Sequence, residues 1–424
     1  MGSWDPRALV RSVWHRDPRA FVRAHAMPVV AVLAALVTCV AVPPDAVYAG
    51  YVHVDTLERI AAMLAVVGAM RSEGMIERLA AHVVARLRSP RVLVGVLTAL
   101  TGVASMFVTN DMALLALLPL AAAALLAAGR PDMIAPTFVL QGLAANLCGM
   151  VLPFGNPQNI FLTSAYGIGL VDFVRMTLPP FIVSCVLLVL ATVCLTRVGR
   201  SGGRQRVGDD GARPDDRAQI AALAAAPDRP TPAAPASRHA PSPARVAILT
   251  GLLVLCVLSV LGLVDAGLTL VVVLGVRVAL DRGLRGLVRT DWGLVVTFAA
   301  FFVLSGNLAR VDAVRDLLAS WLVGGAFVPG VLASQVISNV PAAVTLQRFT
   351  GDWAGLLAGV NVGGAGTPVG SLATLIVIAQ FGLLARELPG ARPWMGTRRF
   401  WTLLLGLNAG FLIALLAVGV LLGW

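Results

Sequence analysis

The chain has 424 residues, of which 58% are hydrophobic and 13% are charged, and its formal net charge is +11. A soluble domain is ordinarily about 45–50% apolar and about a quarter charged, so this composition excludes a mainly soluble protein and indicates a polytopic, all-α membrane protein. The positive charge comes from arginine clusters in the loops between apolar segments, which is the positive-inside pattern of proteins in a lipid bilayer, and we therefore expect no nucleic-acid partner.

The apolar segments predict about nine membrane-spanning helices. Five arginines precede residue 24, and no cleavage site ends the first apolar segment, so residues 1–26 are interpreted as a cytoplasmic tail. The predicted spans are 27–43, 53–70, 133–166, 173–197, 245–264, 266–280, 290–308, 353–381 and 400–423. Two shorter stretches, 75–87 and 311–322, alternate apolar and charged residues at helical spacing, which is typical of helices lying in the membrane interface.

Two further apolar segments are each interrupted by a polar tripeptide, and each predicts a re-entrant helical hairpin. The tripeptides are Thr109-Asn110-Asp111 in segment 92–128 and Ser338-Asn339-Val340 in segment 326–349.

The chain also divides into two similar halves. Residues 198–244 are rich in Gly, Pro, Ala, Asp and Arg and predict a disordered cytoplasmic linker between a first transmembrane repeat, 27–197, and a second, 245–424. Three stretches of the first repeat align in the same order with stretches of the second, which indicates an internal duplication. The aligned pairs are 66–79 with 304–317, 104–113 with 333–342, and 146–160 with 361–375.

Counting crossings from a cytoplasmic N-terminus places every large arginine cluster on one side and makes the two hairpins enter from opposite faces. This is an inverted-topology repeat, the common plan of secondary transporters. The count requires that 245–264 and 266–280 cross separately. Each repeat also contains a spanning helix broken by Gly and Pro, at 152–159 and at 367–371.

The hairpin tips and the helix breaks are the predicted binding site. Non-helical backbone is tolerated at membrane depth only where it is buried or lines a cavity, so these elements are expected to meet near the middle of the bilayer. Helix ends there attract ions. The predicted substrate- and ion-binding residues are Thr109, Asn110, Asp111, Gly155, Asn156, Gln158, Asn159, Ser338, Asn339, Asn361, Thr367, Gly370 and Ser371.

Asp111 is the candidate coupling residue. A carboxylate at the bilayer centre costs on the order of 2.5–3.5 kcal/mol, and intramembrane acids usually bind ions or protons. The alternative is that Asp111 caps the second hairpin helix, and one role does not exclude the other. We expect no resident cofactor, with Na⁺ or H⁺ as the coupling ion and a sodium ion at the hairpin tips as the only metal considered. The five cysteines lie in apolar segments without metal-ligand spacing, which argues against a zinc site or a disulfide framework.

Several motifs resemble those of the ion transporter superfamily, which contains arsenite/antimonite permeases, NhaD-type antiporters, citrate transporter-like proteins and divalent anion/sodium symporters. TNDMALLALLPL, SNVPA and GTPVGSLATLIV are most similar to the arsenite permease branch, and GNPQNI is shared more widely. The resemblance implies two inverted repeats and secondary transport, often by a homodimer. In the symporter branch each tip carries Ser-Asn-Thr, which helps hold sodium and a carboxylate. The departures at Asp111 and Val340 argue against a sodium-coupled dicarboxylate symporter and favour a neutral or singly charged substrate, a cation, or proton coupling.

We therefore expect a multi-pass protein of a bacterial cytoplasmic membrane that moves a small inorganic or organic anion, or an arsenite-like oxyacid, by alternating access coupled to a proton or sodium gradient. A sodium/proton antiporter that exchanges both ions at Asp111 is the alternative. A passive channel fits paired broken helices less well than continuous ones. An intramembrane enzyme has the least support, since the sequence lacks HExxH, GxSxG and paired catalytic carboxylates.

Overall fold

The computed structural model describes residues 26–87, 89–198, 241–288, 290, 292–387 and 396–424. This part of the chain is built from helices and contains no strand. The predicted tail 1–26 and linker 198–244 lie almost wholly outside the described residues.

The helices of the first half are α1 Ala26–Ala41, α2 Val54–Ser72, α3 Met75–Val84, α4 Pro90–Phe107, α5 Asn110–Ala127, α6 Ile134–Cys148, α7 Pro157–Tyr166 and α8 Leu170–Val198. Those of the second half are α9 Pro243–Val260, α10 Ala266–Leu280, α11 Arg285–Val288, α12 Gly293–Leu308, α13 Asp312–Leu322, α14 Phe327–Ile337, α15 Asn339–Leu346, α16 Trp353–Val362, α17 Leu372–Glu387 and α18 Thr397–Leu421. Short 3₁₀ turns at 46–50, 131–133, 149–151 and 347–349 connect some of them.

The number of spans differs from the nine predicted. Six helices of the described chain are long and apolar enough to cross a membrane, or seven if the bent pair α12 and α13 is one span. The difference arises because an apolar stretch does not reveal where its helix ends. The predicted spans 133–166 and 353–381 are each divided into two helices, and 266–280 forms a helix of only 15 residues.

The predicted hairpin segments form two helix pairs that differ in length, and their re-entrant character stays a prediction. In the first, α4 and α5 have 18 residues each, or about 27 Å at 1.5 Å per residue, close to the thickness of the hydrocarbon core. In the second, α14 has 11 residues and α15 has 8, too few to cross. The two halves therefore share an order of elements but not their dimensions.

The segment 245–280 folds back on itself. Asp265 accepts a hydrogen bond of 2.8 Å from the backbone N–H of Leu268 and so caps the start of α10. Arg245, near the start of α9, forms an ion pair of 2.7 Å with Asp281, directly after the end of α10. Since the beginning of one helix lies beside the end of the next, α9 and α10 run in opposite directions, as the predicted crossing count requires.

Ion pairs at the two ends of α2 show where the short amphipathic helices α3 and α13 begin. At the C-terminal end, Glu73 pairs with Arg245 at 2.9 Å, and α3 begins two residues later. Near the N-terminal end, Arg310 pairs with Asp45 at 2.8 Å and donates to the hydroxyl of Tyr51 at 3.2 Å, and α13 begins just after Arg310. Helices α3 and α13 thus begin at opposite ends of α2, which is the relationship that an inverted repeat demands; the duplication itself stays a prediction.

Packing between the halves is reciprocal. Helix α1 packs on α12 and α10 packs on α2, while α7 packs on α15 and α5 packs on α17. Two large apolar cores result, one around α2, α9 and α12 and the other around α4, α6, α17 and α18, with a small third cluster between α3 and α5. The break after α6 is buried within this packing, whereas the break after α16 is buried at both ends but exposes Thr367 and Val369 in its middle.

Candidate functional site

The first break depends on a close approach of two glycines. Helix α6 ends at Cys148, a 3₁₀ turn follows, and α7 starts at Pro157, which has no N–H to leave unpaired in a first helical turn. A Cβ atom on Gly155 would clash with the carbonyl oxygen of Gly149 and would lie 3.1 Å from that of Ser105 in α4. Only glycine lets the chain turn back here, and the first hairpin touches the break at this point.

The second break has the same plan. Gly366 has a φ of +117°, a backbone conformation that residues with a Cβ rarely adopt. A Cβ atom on Gly370 would lie 2.9 Å from the carbonyl oxygen of Gly363. In each break, a glycine near the end therefore packs against the carbonyl oxygen of a glycine at the beginning.

Buried amides join the two breaks. Asn361, at the end of α16, donates from Nδ2 to Oδ1 of Asn159 at 2.7 Å and accepts at Oδ1 from Nε2 of Gln158 at 3.2 Å. Asn146, near the end of α6, accepts from the hydroxyl of Ser371 at 3.2 Å. In each half the asparagine before the break bonds to a side chain at or near the start of the helix after the other break. The structure thus brings together four of the predicted site residues, together with Asn146.

The second hairpin is tied to the second break through a residue absent from the predicted site. Gln335 donates from Nε2 to the carbonyl of Gly363 at 2.7 Å and accepts at Oε1 from the backbone N–H of Thr367 at 2.8 Å. The backbone N–H of Asn339 donates to the carbonyl of Gly370 at 3.0 Å. A lone glutamine in an apolar helix is the sequence signal for this role.

The two hairpin tips have matching local geometry. The backbone N–H of Asp111 donates to Oδ1 of Asn110 at 2.9 Å, and the backbone N–H of Val340 donates to Oδ1 of Asn339 at 2.9 Å. Each asparagine opens the second helix of its hairpin. Ser338, the first residue of the second tip, has a φ of +73°, which is strained for a residue with a Cβ. Both asparagines are buried, as is Thr109, and Asp111 is partly buried.

Asn156 is the side chain at this site whose bonding needs explanation. It is 0% exposed, and within the described chain neither its Nδ2 nor its Oδ1 has a hydrogen-bond partner. Nδ2 of Asn146 is also buried without one. Leaving a buried polar group unpaired costs about 1–3 kcal/mol, so these amides favour a polar ligand between the breaks.

The available ligand atoms limit what this place could bind. Within the described residues no group of three or more His, Cys, Asp or Glu side chains could hold a metal ion. The oxygens at hand are those of amides, hydroxyls and backbone carbonyls, which suit a hard cation or a hydrogen-bonding solute rather than a transition metal.

Comparisons with known proteins agree with a transport role. An uncharacterized transporter of Methanocaldococcus jannaschii is 26% identical over 292 residues, covering 69% of this chain and 71% of the relative. The inner membrane protein YbiR of Escherichia coli K12 is 25% identical over 326 residues, covering 76% and 78%. An uncharacterized transporter of Mycobacterium tuberculosis is 24% identical over 359 residues, covering 76% and 77%.

The sequence profile of the citrate transporter family matches residues 14–350. This match confirms the superfamily predicted from the motifs, while the arsenite permease branch stays a prediction. With most of its length matched, the chain belongs to the citrate transporter family and is a multi-pass membrane transporter.

Proposed function

We propose that the chain is a secondary active transporter that moves a small inorganic or organic anion, or an arsenite-like oxyacid, across the cytoplasmic membrane by alternating access. The observation that carries this proposal is the orphaned amide of Asn156, buried in the first of two helix breaks that are joined by side-chain hydrogen bonds. A place that is polar, shielded from lipid and short of hydrogen-bond partners suits a transported solute. A cytoplasmic N-terminus and a homodimer are part of the same proposal.

Coupling in this proposal runs through Asp111. Its position in the first turn of α5 places a titratable group at the hairpin tip, next to Asn110. An ionised carboxylate repels an anion, and a proton or sodium ion bound there removes the repulsion. The aligned residue in the second hairpin is Val340. Of the two hairpin tips, the first alone therefore has an acid, and the coupling ion binds there.

Sodium/proton antiport is the second candidate. It is favoured by Oδ1 of Asn156, which together with the carbonyls of the breaks gives oxygen atoms of the kind that a hard cation takes. In this case Asp111 exchanges the two ions itself, and no anion crosses.

Reconstitution in liposomes separates these candidates. Wild type, Asp111→Asn and the control Asp172→Asn, an exposed acid at the start of α8, are given a pH or sodium gradient. Arsenite, phosphate, sulfate, citrate and sodium are offered in turn. We expect gradient-driven uptake of an anion or oxyacid that Asp111→Asn uncouples and Asp172→Asn preserves. Gradient-driven flux of sodium alone would indicate antiport. Uptake at the same rate with and without each gradient would refute active transport.

A further inference from the structure

We propose that Arg71 binds the negatively charged oxygen atoms of the transported solute, which is therefore a carboxylate or an inorganic oxyanion. The site lies beside the tip of the first hairpin. This inference rests on the proposed function, because it names the class of substrate for that same transport path.

Arg71 lies in the last turn of α2, and its guanidinium extends to the first hairpin. Nη1 is 3.7 Å from Sδ of Met112, the third residue of α5. Met112 follows directly on Asn110 and Asp111, so the contact brings a permanent positive charge to the first turn of the hairpin helix. The amino end of α5 has the positive end of the helix dipole and adds to the attraction for an anion.

The guanidinium is poorly satisfied where it lies. Arginine has five N–H donors in a planar fork, and a thioether sulfur is a weak acceptor. Nη2 is buried and has no hydrogen-bond partner among the described residues. A half-buried cation with a buried, unpaired Nη2 calls for an acceptor, and the fork of two nitrogens matches the two oxygens of a carboxylate or an oxyanion.

The protein supplies an acid nearby that is also unsatisfied. Glu77, on α3, has a buried Oε2 without a hydrogen-bond partner. Burial raises the pKa of Glu77, and the charge of Arg71 opposes that shift to a smaller extent. The charged groups around the tip include Arg71 from α2, Glu77 and Arg78 from α3, and Asp111 on α5 itself. Once Asp111 is neutralised by its coupling ion, an anion can reach Arg71 with less repulsion.

The second half of the chain has no cation at the aligned position. In the alignment of 66–79 with 304–317, Arg71 corresponds to Ala309, just as Asp111 corresponds to Val340. The next residue, Arg310, forms an ion pair with Asp45, whereas Nη2 of Arg71 has no hydrogen-bond partner among the described residues. The two arginines at these helix ends therefore differ in how far the protein satisfies them.

Anion binding to the purified full-length protein in detergent tests the assignment. Citrate, phosphate and sulfate are titrated separately by calorimetry and by thermal unfolding. We expect wild type to bind at least one of them, and Arg71→Gln to bind it about tenfold or more weakly, since a bidentate charged contact is lost. Arg71→Lys keeps the charge without the fork and should fall between the two. Arg59→Gln, on the same helix and paired with Asp55, should bind as wild type does.

Two variants test whether Arg71 is merely the counter-ion of Glu77. If it is, removing the arginine harms binding only by leaving the acid uncompensated, and Arg71→Gln/Glu77→Gln regains the wild-type affinity. That recovery would overturn the proposal, as would unchanged affinity in Arg71→Gln or no binding of any of the three anions by wild type. Should Arg71→Gln fail to fold, as judged by gel filtration, Arg71→Lys decides: an affinity equal to that of wild type overturns the assignment. Arg71-dependent binding without gradient-driven uptake in liposomes would instead refute the proposed function and leave this site standing.

Discussion

Asn361 donates a hydrogen bond of 2.7 Å to Asn159, 202 positions away in the sequence. The same Nδ2 also donates to the carbonyl of Leu357 at 2.9 Å, and Oδ1 accepts from Gln158. Both hydrogens and the oxygen of this amide are therefore engaged, which fixes its orientation. A saturated amide that connects one broken helix to the other holds the two halves of the site in register.

Replacing Asn361 with alanine should damage the site more than its size suggests. The substitution leaves Gln158 and Asn159 buried without their shared partner, and we expect the free energy of unfolding to fall by about 1–3 kcal/mol. Gradient-driven uptake should also fall, because the start of α7 is no longer held against α16. Thermal unfolding in detergent and uptake into liposomes measure the two effects.

Asn408→Ala is the matched control for this variant. Asn408 is an equally buried asparagine, and its amide nitrogen donates to Leu404 within its own helix, α18. We expect wild-type uptake from it. Equal losses of uptake in both variants would show that the contact between the breaks has no special part in transport.

Gly155→Ala should disrupt the first break by sterics alone. The added methyl group clashes with the carbonyl of Gly149, and rigid backbone on both sides leaves little room to adjust. Overpacking of this kind typically destabilises by about 1–3 kcal/mol. Gly410→Ala, in the middle of α18 with no atom near the new Cβ, should be neutral or slightly stabilising. Similar uptake and unfolding temperature in the two alanine variants would contradict the close approach of Gly155.

The polar positions of the site could be predicted from sequence because amides are scarce in this apolar chain and must find partners. Asn110 and Asn339 were found by their place within apolar segments, and Asn361 by its alignment with Asn146. Gln335 was missed because it lies outside the tripeptides, although it provides three bonds between the second hairpin and the second break. Arg71, proposed above to bind the anion, was not singled out because it is one of five arginines in 71–91, a stretch that the positive-inside pattern accounts for.

The limits of the helices were harder to predict than their existence. Apolar composition marks residues that avoid water but does not show where a helix ends inside the membrane. The predicted spans 133–166 and 353–381 illustrate this, since each consists of two helices, and apolar composition does not show the end of the first. The separation of α9 from α10 depends on one residue, Asp265, whose capping bond only the structure shows, and their separate crossings stay a prediction.

Glu77→Gln should stabilise the protein at high pH. Burial raises the pKa of Glu77 above its ordinary value of 4.5. The folded state therefore holds this proton more tightly than the unfolded state does, so the contribution of Glu77 to stability is greatest below pH 4.5 and is lost as the pH rises through the raised value. We expect the variant to lose that decline, with unfolding temperatures near those of wild type at pH 4 and above them at pH 8. A variant that is less stable than wild type at pH 8 would contradict the sign of the shift.

Arg245 should contribute more to stability than an exposed arginine with as many acidic neighbours. Arg245 joins Glu73 to Asp281, whose side chain is 16% exposed. Its removal leaves the shielded carboxylate of Glu73 without its ion pair and leaves Asp281 with Arg277 alone. We expect Arg245→Gln to lower the free energy of unfolding by about 1.5–3 kcal/mol. The control is Arg315→Gln, which lies between Asp312, 80% exposed, and Asp316; exposed pairs contribute about 0–1 kcal/mol. Equal effects in thermal unfolding would show that α9 does not depend on this junction.

Cysteine labelling should place α3 and α13 on opposite sides of the membrane. The pairing of Glu73 with Arg245 and of Asp45 with Arg310 sets the starts of these helices at opposite ends of α2. In a background without the native cysteines, we expect Ser320→Cys on α13 to react with an impermeant maleimide in intact cells. Arg86→Cys, just after α3, should react only once the membrane is permeabilised.

Two further positions complete this labelling test. Leu263→Cys, in the exposed turn between α9 and α10, should behave like Ser320→Cys, because Arg59 in the N-terminal half of α2 donates to the carbonyl of Ser259 close to that turn. Ala62→Cys, fully buried in α2, should stay unlabelled under both conditions and reports any unfolding. The comparison does not depend on which face is cytoplasmic, since only the relative sides matter. If Arg86→Cys and Ser320→Cys are reached from the same side, the two halves are not inverted, and the transport path proposed between their breaks loses its symmetry.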